Sequence, residues 1–270
     1  MKKLLAVFDG NQFSEGIIQF ANDLNELEPI LLTGVFLPAV SYSDTMTYFL
    51  GGMAGPIYIP YVNDNPDLIE VNIEKFEARC QAHHIEYRVH RDDFILDDLN
   101  KETRYADLLV LNSQLLFENL GEDSEDYLED TIHRSECATL LVPEDFEFPQ
   151  SIIIAYDGSA SSVFALKQFA YLFPELSELP TLIVYASEKN DDLPDLPYIE
   201  ELAARHFKHL TFFKLETNPQ KYFNSWLSEK GGALLVTGSH GRSFISELFK
   251  TSFIRNIVKD HKLPLFIAHH

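Results

Sequence analysis

The run Leu4-Leu5-Ala6-Val7-Phe8-Asp9-Gly10 returns 148 residues later as Ile152-Ile153-Ile154-Ala155-Tyr156-Asp157-Gly158. Self-similarity at that distance means a chain built from two copies of one unit. Each run is apolar up to its Asp-Gly, too short for a helix and bounded by turn residues. That pattern belongs to a strand buried on both faces, as in a parallel sheet. A helix follows in each copy. Ile17, Phe20, Ala21 and Leu24 in the first, and Val163, Leu166, Ala170 and Phe173 in the second, fall at helical spacing.

Two more matched pairs extend the repeat. Ala106–Leu111 and Ala233–Thr237 are apolar strands between a helix-like stretch and a polar loop, and Ala138–Val142 and Leu263–Ile267 close the two halves. Ile30–Leu37, Tyr87–His90, Thr181–Tyr185 and Leu210–Leu215 supply further strands. Strands alternating with helices form βαβ units, so each half is expected to be α/β, with a doubly wound parallel sheet of five strands. The join falls in Pro143–Gln150, where Glu144, Asp145 and Glu147 lie between two prolines; the expected domains are 1–146 and 147–270. The first is longer because Val40–Pro66, rich in Gly, Pro, Tyr and Asn, is inserted after its second strand. A loop of that length is an interface, a lid or a functionless excursion. Gly51-Gly52-Met53-Ala54-Gly55 within it has neither the strand nor the Lys of a phosphate-binding loop and reads as loop.

The chain of 270 residues is 46% hydrophobic, enough for two domains with cores. Its net charge of −21 argues against nucleic acid and anionic membrane surfaces as partners, since both are held mainly by Lys and Arg. That charge is confined to one half. Residues 1–148 carry 9 Lys and Arg against 29 Asp and Glu, and residues 149–270 carry 12 against 13. The acidic first half could therefore recruit a basic protein. Cys80 and Cys137, outside any CxxC pair, suggest neither a disulfide framework nor a zinc site. Met1-Lys2-Lys3 imitates a secretory leader, but Asp9 ends the apolar run too early for one, and no stretch approaches the ~18 apolar residues of a membrane helix. The expected location is cytoplasmic.

In an open parallel sheet, ligands bind outside the carboxyl ends of the strands, where strand order reverses. The second half delivers Asp157-Gly158-Ser159 and Gly238-Ser239-His240-Gly241-Arg242-Ser243 to that point. Phe244, Ile245, Leu248 and Phe249 follow at helical spacing, so the two glycines lie on a strand-to-helix turn. Glycines there admit a ligand to the backbone amides, a helix N-terminus favours phosphate, and Arg242 adds positive charge.

Here the sequence resembles the universal stress proteins. Their first strand ends in Asp, commonly Asp-Gly-Ser, and the ATP-binding subgroup later carries G-x2-G-x9-G-[ST]. Gly238-x2-Gly241 matches, nine residues follow, and the next pair is Thr251-Ser252, with Thr in place of Gly. The resemblance covers the whole chain as two copies, near-complete in the second and degenerate in the first. It implies a Rossmann-like fold of the adenine nucleotide alpha hydrolase-like kind. Asp157, in its turn with Gly158 and Ser159, would contact adenine, and Val184 and Tyr185 would line the base. Gly238, Ser239, His240 and Gly241, beside Arg242, would wrap ribose and phosphates, and Ser252 would reach the phosphate tail. Thr251 puts a β-branched side chain where the family has glycine, at a cost of about 1 kcal/mol or more if positive φ is required.

The first half keeps Asp9-Gly10, but its fourth strand runs into Asn112-Ser113-Gln114-Leu115-Leu116 without either glycine. Glu122, Asp123, Glu125, Asp126, Glu129 and Asp130 follow where a polyphosphate would dock, so ATP is not expected there. Neither a catalytic constellation nor a metal site is expected. Ser239 and His240 lack an orienting carboxylate. His206 and His209, near the end of a helix-like stretch with Glu200 and Glu201, read as exposed helix residues, and His83-His84 point to different faces. The resemblance implies a module for stress response that binds ATP, with or without Mg²⁺, with an interaction scaffold and a slow ATPase as alternatives. It also implies an internal pseudo-dimer, Leu140–Val142 alongside Leu265–Ile267, and possible dimerisation of the whole chain.

Overall fold

Apolar runs of five to eight residues become strands because both faces of each can be covered. In the computed structural model, residues 1–9, 12–37, 40–41, 45–50, 53–58, 61–62, 66–90, 96–114, 132, 134–187, 192–216, 226–227, 230–238 and 263–268 are described. The first repeat contributes β1 (Lys2–Asp9), β2 (Ile30–Leu37), β7 (Glu86–His90), β8 (Leu108–Asn112) and β9 (Ala138–Val142) to one sheet. The second contributes β10 (Ser151–Ala155), β11 (Pro180–Ala186), β12 (His209–Leu215), β13 (Ala233–Gly238) and β14 (Leu265–Ala268). Helices α1 (Glu15–Leu27), α2 (Pro66–Ala82), α3 (Leu96–Thr103), α4 (Ala160–Leu172) and α5 (Leu196–Ala203) alternate with them.

Each repeat is a parallel five-stranded sheet, and the two are fused edge to edge in the order β12-β11-β10-β13-β14-β9-β8-β1-β2-β7. The join is the antiparallel pairing of the last strands, Leu265 opposite Leu141, Phe266 opposite Leu140 and Ile267 opposite Thr139. Every residue of β8, β9, β13 and β14 is buried, whereas β7 and β12, at the outer edges, alternate between exposed and half-buried. Strand order reverses between β1 and β8 in the first repeat and between β10 and β13 in the second. Open parallel sheets receive ligands at such reversals.

The two faces carry two continuous cores, and both cross the seam. On one face α1, α2, α4 and α5 pack through Ile17, Phe76, Phe169 and Ile199 among others. Phe266 meets Phe169 and Phe173 at 5.4 and 5.9 Å between ring centroids, and Phe173 reaches Phe20 of the first repeat at 6.5 Å. On the other face α3 contributes Leu99. No helix among the described residues is long and apolar enough to cross a membrane.

The insertion is not the plain loop expected. Val40–Ser41 (β3) pairs with Tyr61–Val62 (β6), and Thr45–Leu50 (β4) with Met53–Tyr58 (β5), forming two small antiparallel sheets outside the main one. Met53, Ala54 and Gly55 therefore belong to a strand. The Thr, Tyr and Phe content of Thr45–Leu50 favours extended chain, so local propensity outweighs the Gly and Pro content. The last strand starts at Leu265 rather than Leu263, and the fourth strand of the first repeat at Leu108 rather than Ala106. His206 and His209 also depart from expectation. α5 ends at Ala203, so His206 lies in the turn beyond it, edge-on to Tyr171 at 5.3 Å, and His209 opens the edge strand β12.

Because both cores run through the seam, the chain should unfold as one unit. Phe266→Ala is expected to cost about 3–5 kcal/mol in one urea transition, with Trp226 fluorescence and far-UV circular dichroism coincident. Two separated transitions would show that the repeats hold together independently.

Candidate functional site

In the second repeat the reversal between β10 and β13 is framed by the turn Tyr156–Ser159 on one side and the end of β13 on the other. The turn is fixed from within. Asp157 Oδ1 accepts the Ser159 N–H at 2.9 Å, and Ser159 caps α4 by accepting the Ser162 N–H at 3.2 Å. Gly158 has φ +78°, and a Cβ there would come within 2.6 Å of Pro194, so glycine is required twice over. Asp157 is half-buried, and among the described residues its second oxygen, Oδ2, makes no hydrogen bond.

The segment after β11 leans on this turn. Tyr156 donates its hydroxyl to the Pro194 carbonyl at 2.8 Å, and its N–H to the Val184 carbonyl at 2.9 Å. Burial, then the nearby carboxylates of Asp195 and Asp157, push the Tyr156 phenol up to about 12, so it stays a donor across the physiological range. Asp195, with φ +51°, turns the chain into α5, where its carbonyl accepts from Tyr198 and Ile199. Val184 is 2% exposed and belongs to the core, while Tyr185 is half-buried at the strand end. Tyr156, Pro194 and Asp195 were not singled out by sequence. Asp-Leu-Pro-Asp-Leu-Pro, a turn-rich stretch shortly after a strand, was the available signal.

Gly238 ends β13, and a Cβ on it would lie 2.4 Å from the Ser161 carbonyl oxygen. The absent side chain makes room for the first turn of α4, a packing reason that holds with or without ligand. The structure thus brings Asp157, Gly158, Ser159, Val184, Tyr185 and Gly238 to one end of one sheet. Ser239, His240, Gly241, Arg242, Thr251 and Ser252 lie outside the described residues, as do Glu122–Asp130 of the first repeat and His269-His270.

The first repeat is built differently at the same place. Leu4 pairs with Leu108 as Ile152 pairs with Leu234, so Asn112 stands where the second repeat has Gly238. An asparagine fits because the helix starts later: α1 begins six residues after Asp9, whereas α4 begins three after Asp157. Asn112 Nδ2 donates to Ser14 Oγ and to Glu144 Oε2, both at 2.8 Å. Glu144 also accepts from Ser14 Oγ at 2.7 Å and from the Glu15 N–H at 2.9 Å. Phe13 stacks on Phe8 at 5.4 Å. The pocket left over has a volume of ≈ 130 Å³, lined by Val7, Phe8, Gln12, Phe13, Ser14, Asn112, Gln114 and Glu144. Sites for drug-sized ligands occupy ~300–1,000 Å³, so this one is too small for a nucleotide. Sequence reading assigned Glu144 to the join and noted only the missing glycines at Asn112.

Neither thiol offers chemistry. Burial pushes Cys80 up to about 12 and Cys137 up to about 11, so both stay protonated and weakly nucleophilic. Among the described residues no group of three His, Cys, Asp or Glu side chains could hold a metal ion.

No protein-family model and no curated protein sequence matches this chain. Solved structures do. A universal stress protein from Archaeoglobus fulgidus DSM 4304 aligns over 100% of this chain and 96% of its own, at 15% identity and a TM-score of 0.64. The chain therefore has the fold of that protein. The cytoplasmic domain of a prokaryotic cation chloride cotransporter aligns over 98% of this chain and 94% of its own, at 12% identity and a TM-score of 0.52. A universal stress protein in complex with cAMP aligns over 46% of this chain and 98% of its own, at 20% identity; its TM-score of 0.35 is too low to carry a ligand across.

Gly238→Ala is expected to cost about 1–3 kcal/mol without any ligand, read as a lower urea midpoint at unchanged slope; an unchanged midpoint would mean that α4 withdraws freely. Tyr156→Phe should cost about 1 kcal/mol and speed amide exchange at Tyr198 and Ile199, and wild-type exchange there would separate the phenol from the 192–195 segment.

Proposed function

We propose that this chain is a universal stress protein, a cytoplasmic non-enzymatic module that binds an adenine nucleotide in the crevice of its second repeat. The supporting observation is the state of Asp157. One carboxylate oxygen holds the turn and the other has no partner among the described residues, so at the strand-order reversal it can accept a hydrogen bond from the exocyclic amine of adenine. Tyr185, next to last in the neighbouring strand, would line the base, and Gly238 leads into Ser239-His240-Gly241-Arg242, whose amides and guanidinium suit phosphates. Ser252 serves the phosphate tail, with Thr251 limiting the affinity. ATP, accompanied by Mg²⁺ on its phosphates, is the nucleotide that this pattern favours, and one site per chain follows from the closed crevice of the first repeat. Whole-chain dimers are in keeping with this reading.

A second reading is favoured by the match to a transporter's cytoplasmic domain, which has the same fold in a different setting. In it the chain is an interaction scaffold without nucleotide, and the charge of −20 on residues 1–148 meets a basic partner.

Titration calorimetry of Mg-ATP into nucleotide-stripped protein separates them. One site per chain is expected, weakened at least tenfold by Asp157→Ala, a loss of about 1.4 kcal/mol or more, and abolished by Gly241→Val. Retained ATP supports the module, turnover to ADP a slow ATPase, and no heat at millimolar ATP with intact folding leaves the scaffold.

A further inference from the structure

We propose that the first repeat is self-liganded: the carboxylate of Glu144, on the segment that leaves β9, occupies its crevice as a tethered anion and keeps it shut. This contact is independent of nucleotide in the second repeat. The crevice lies at the strand-order reversal between β1 and β8, where an open parallel sheet receives ligands. There three donors from two distant parts of the sequence, the Ser14 hydroxyl and the Glu15 N–H in one and the Asn112 amide in the other, converge on one carboxylate at 2.7–2.9 Å. The Ser14 hydroxyl and the Glu15 amide open α1, so the carboxylate also meets the positive end of that helix.

The surroundings are shaped for this occupant. A Cβ on Gly16 would lie 2.1 Å from the Pro143 carbonyl oxygen and 2.9 Å from that of Glu144, so the missing side chain is what lets the segment cross the first turn of α1. Phe146, two residues on, is buried edge-on against Phe20 at 5.7 Å and holds the segment down. Asn112 replaces the glycine found at the same register in the second repeat, and its amide exists in the crevice only because α1 starts late. Helix start, asparagine, glycine and glutamate thus form one arrangement, absent from the second repeat. It answers to a carboxylate-sized anion.

The test is chemical rescue in the full chain, with acetate standing for the lost side-chain end. Glu144→Ala should melt several degrees below wild type. Acetate should restore part of that loss in a saturable manner, while chloride at equal ionic strength does not and wild type does not respond. Adding Asn112→Leu to Glu144→Ala should remove the response. Equal effects of acetate and chloride, an equal response in wild type, or an unchanged melting temperature in Glu144→Ala would overturn the proposal. If Glu144→Ala does not fold, Glu144→Gln decides. Its amide nitrogen would take the place of Oε2 and cannot accept from the Ser14 hydroxyl and the Asn112 amide, so Glu144→Gln should also melt several degrees below wild type, and a wild-type melting temperature would sink the idea. The probe is not a nucleotide, so failure here and failure of ATP binding are read separately.

Discussion

The three antiparallel pairs that set β14 against β9 hold the rest of the structure in place. A five-stranded parallel sheet whose fifth strand is apolar on both faces cannot leave that strand at an edge, because its unpaired amides and carbonyls would sit beside uncovered apolar surface. Pairing the two last strands removes the problem for both repeats at once and moves the edges out to β7 and β12, which are half-polar. With the strands in register, Phe266 reaches Phe169 and Phe173, Phe173 reaches Phe20, and the helices of the two repeats share one core.

Against that symmetric frame the two crevices have diverged through a few coupled positions. In the second repeat a full helical turn follows Asp157-Gly158-Ser159, and Gly238 yields space to the Ser161 carbonyl. In the first, that turn is not helical, Asn112 fills the space, and a carboxylate from the join completes the hydrogen bonds. None of these changes is tolerable alone. A glycine at 112 would strip two donor contacts from the pocket, and a larger residue at 238 would strike backbone.

The strands were legible because burial on both faces writes itself as uninterrupted apolar runs, as in Leu4–Phe8 and Ile152–Ala155. The repeat was legible for the same reason, and the pairing of the last strands followed from a family resemblance rather than from any pattern in the strands. The self-liganded crevice was not legible. Ser14 and Glu144 are 130 residues apart, and the need for Gly16 is visible only once Pro143 lies across the helix. The hairpins of the insertion were hidden by Gly and Pro, which mark turns without showing that the residues between them pair. Of the site in the second repeat, the Asp-Gly-Ser turn could be read directly. The supporting Tyr156–Pro194 contact could not, since it depends on how two loops meet in space.

The seam also imposes an order of events on synthesis. Leu141 and Leu265, opposite one another in the finished sheet, are 124 residues apart in the chain. At about 5–20 residues per second, β9 waits roughly 6–25 s for its partner after leaving the ribosome. Throughout that interval β9, apolar but for Thr139, lacks its partner strand and is the kind of segment on which nascent chains associate with one another. Safe production of this protein therefore depends on how quickly the second half is translated, or on a chaperone that covers β9 until β14 arrives.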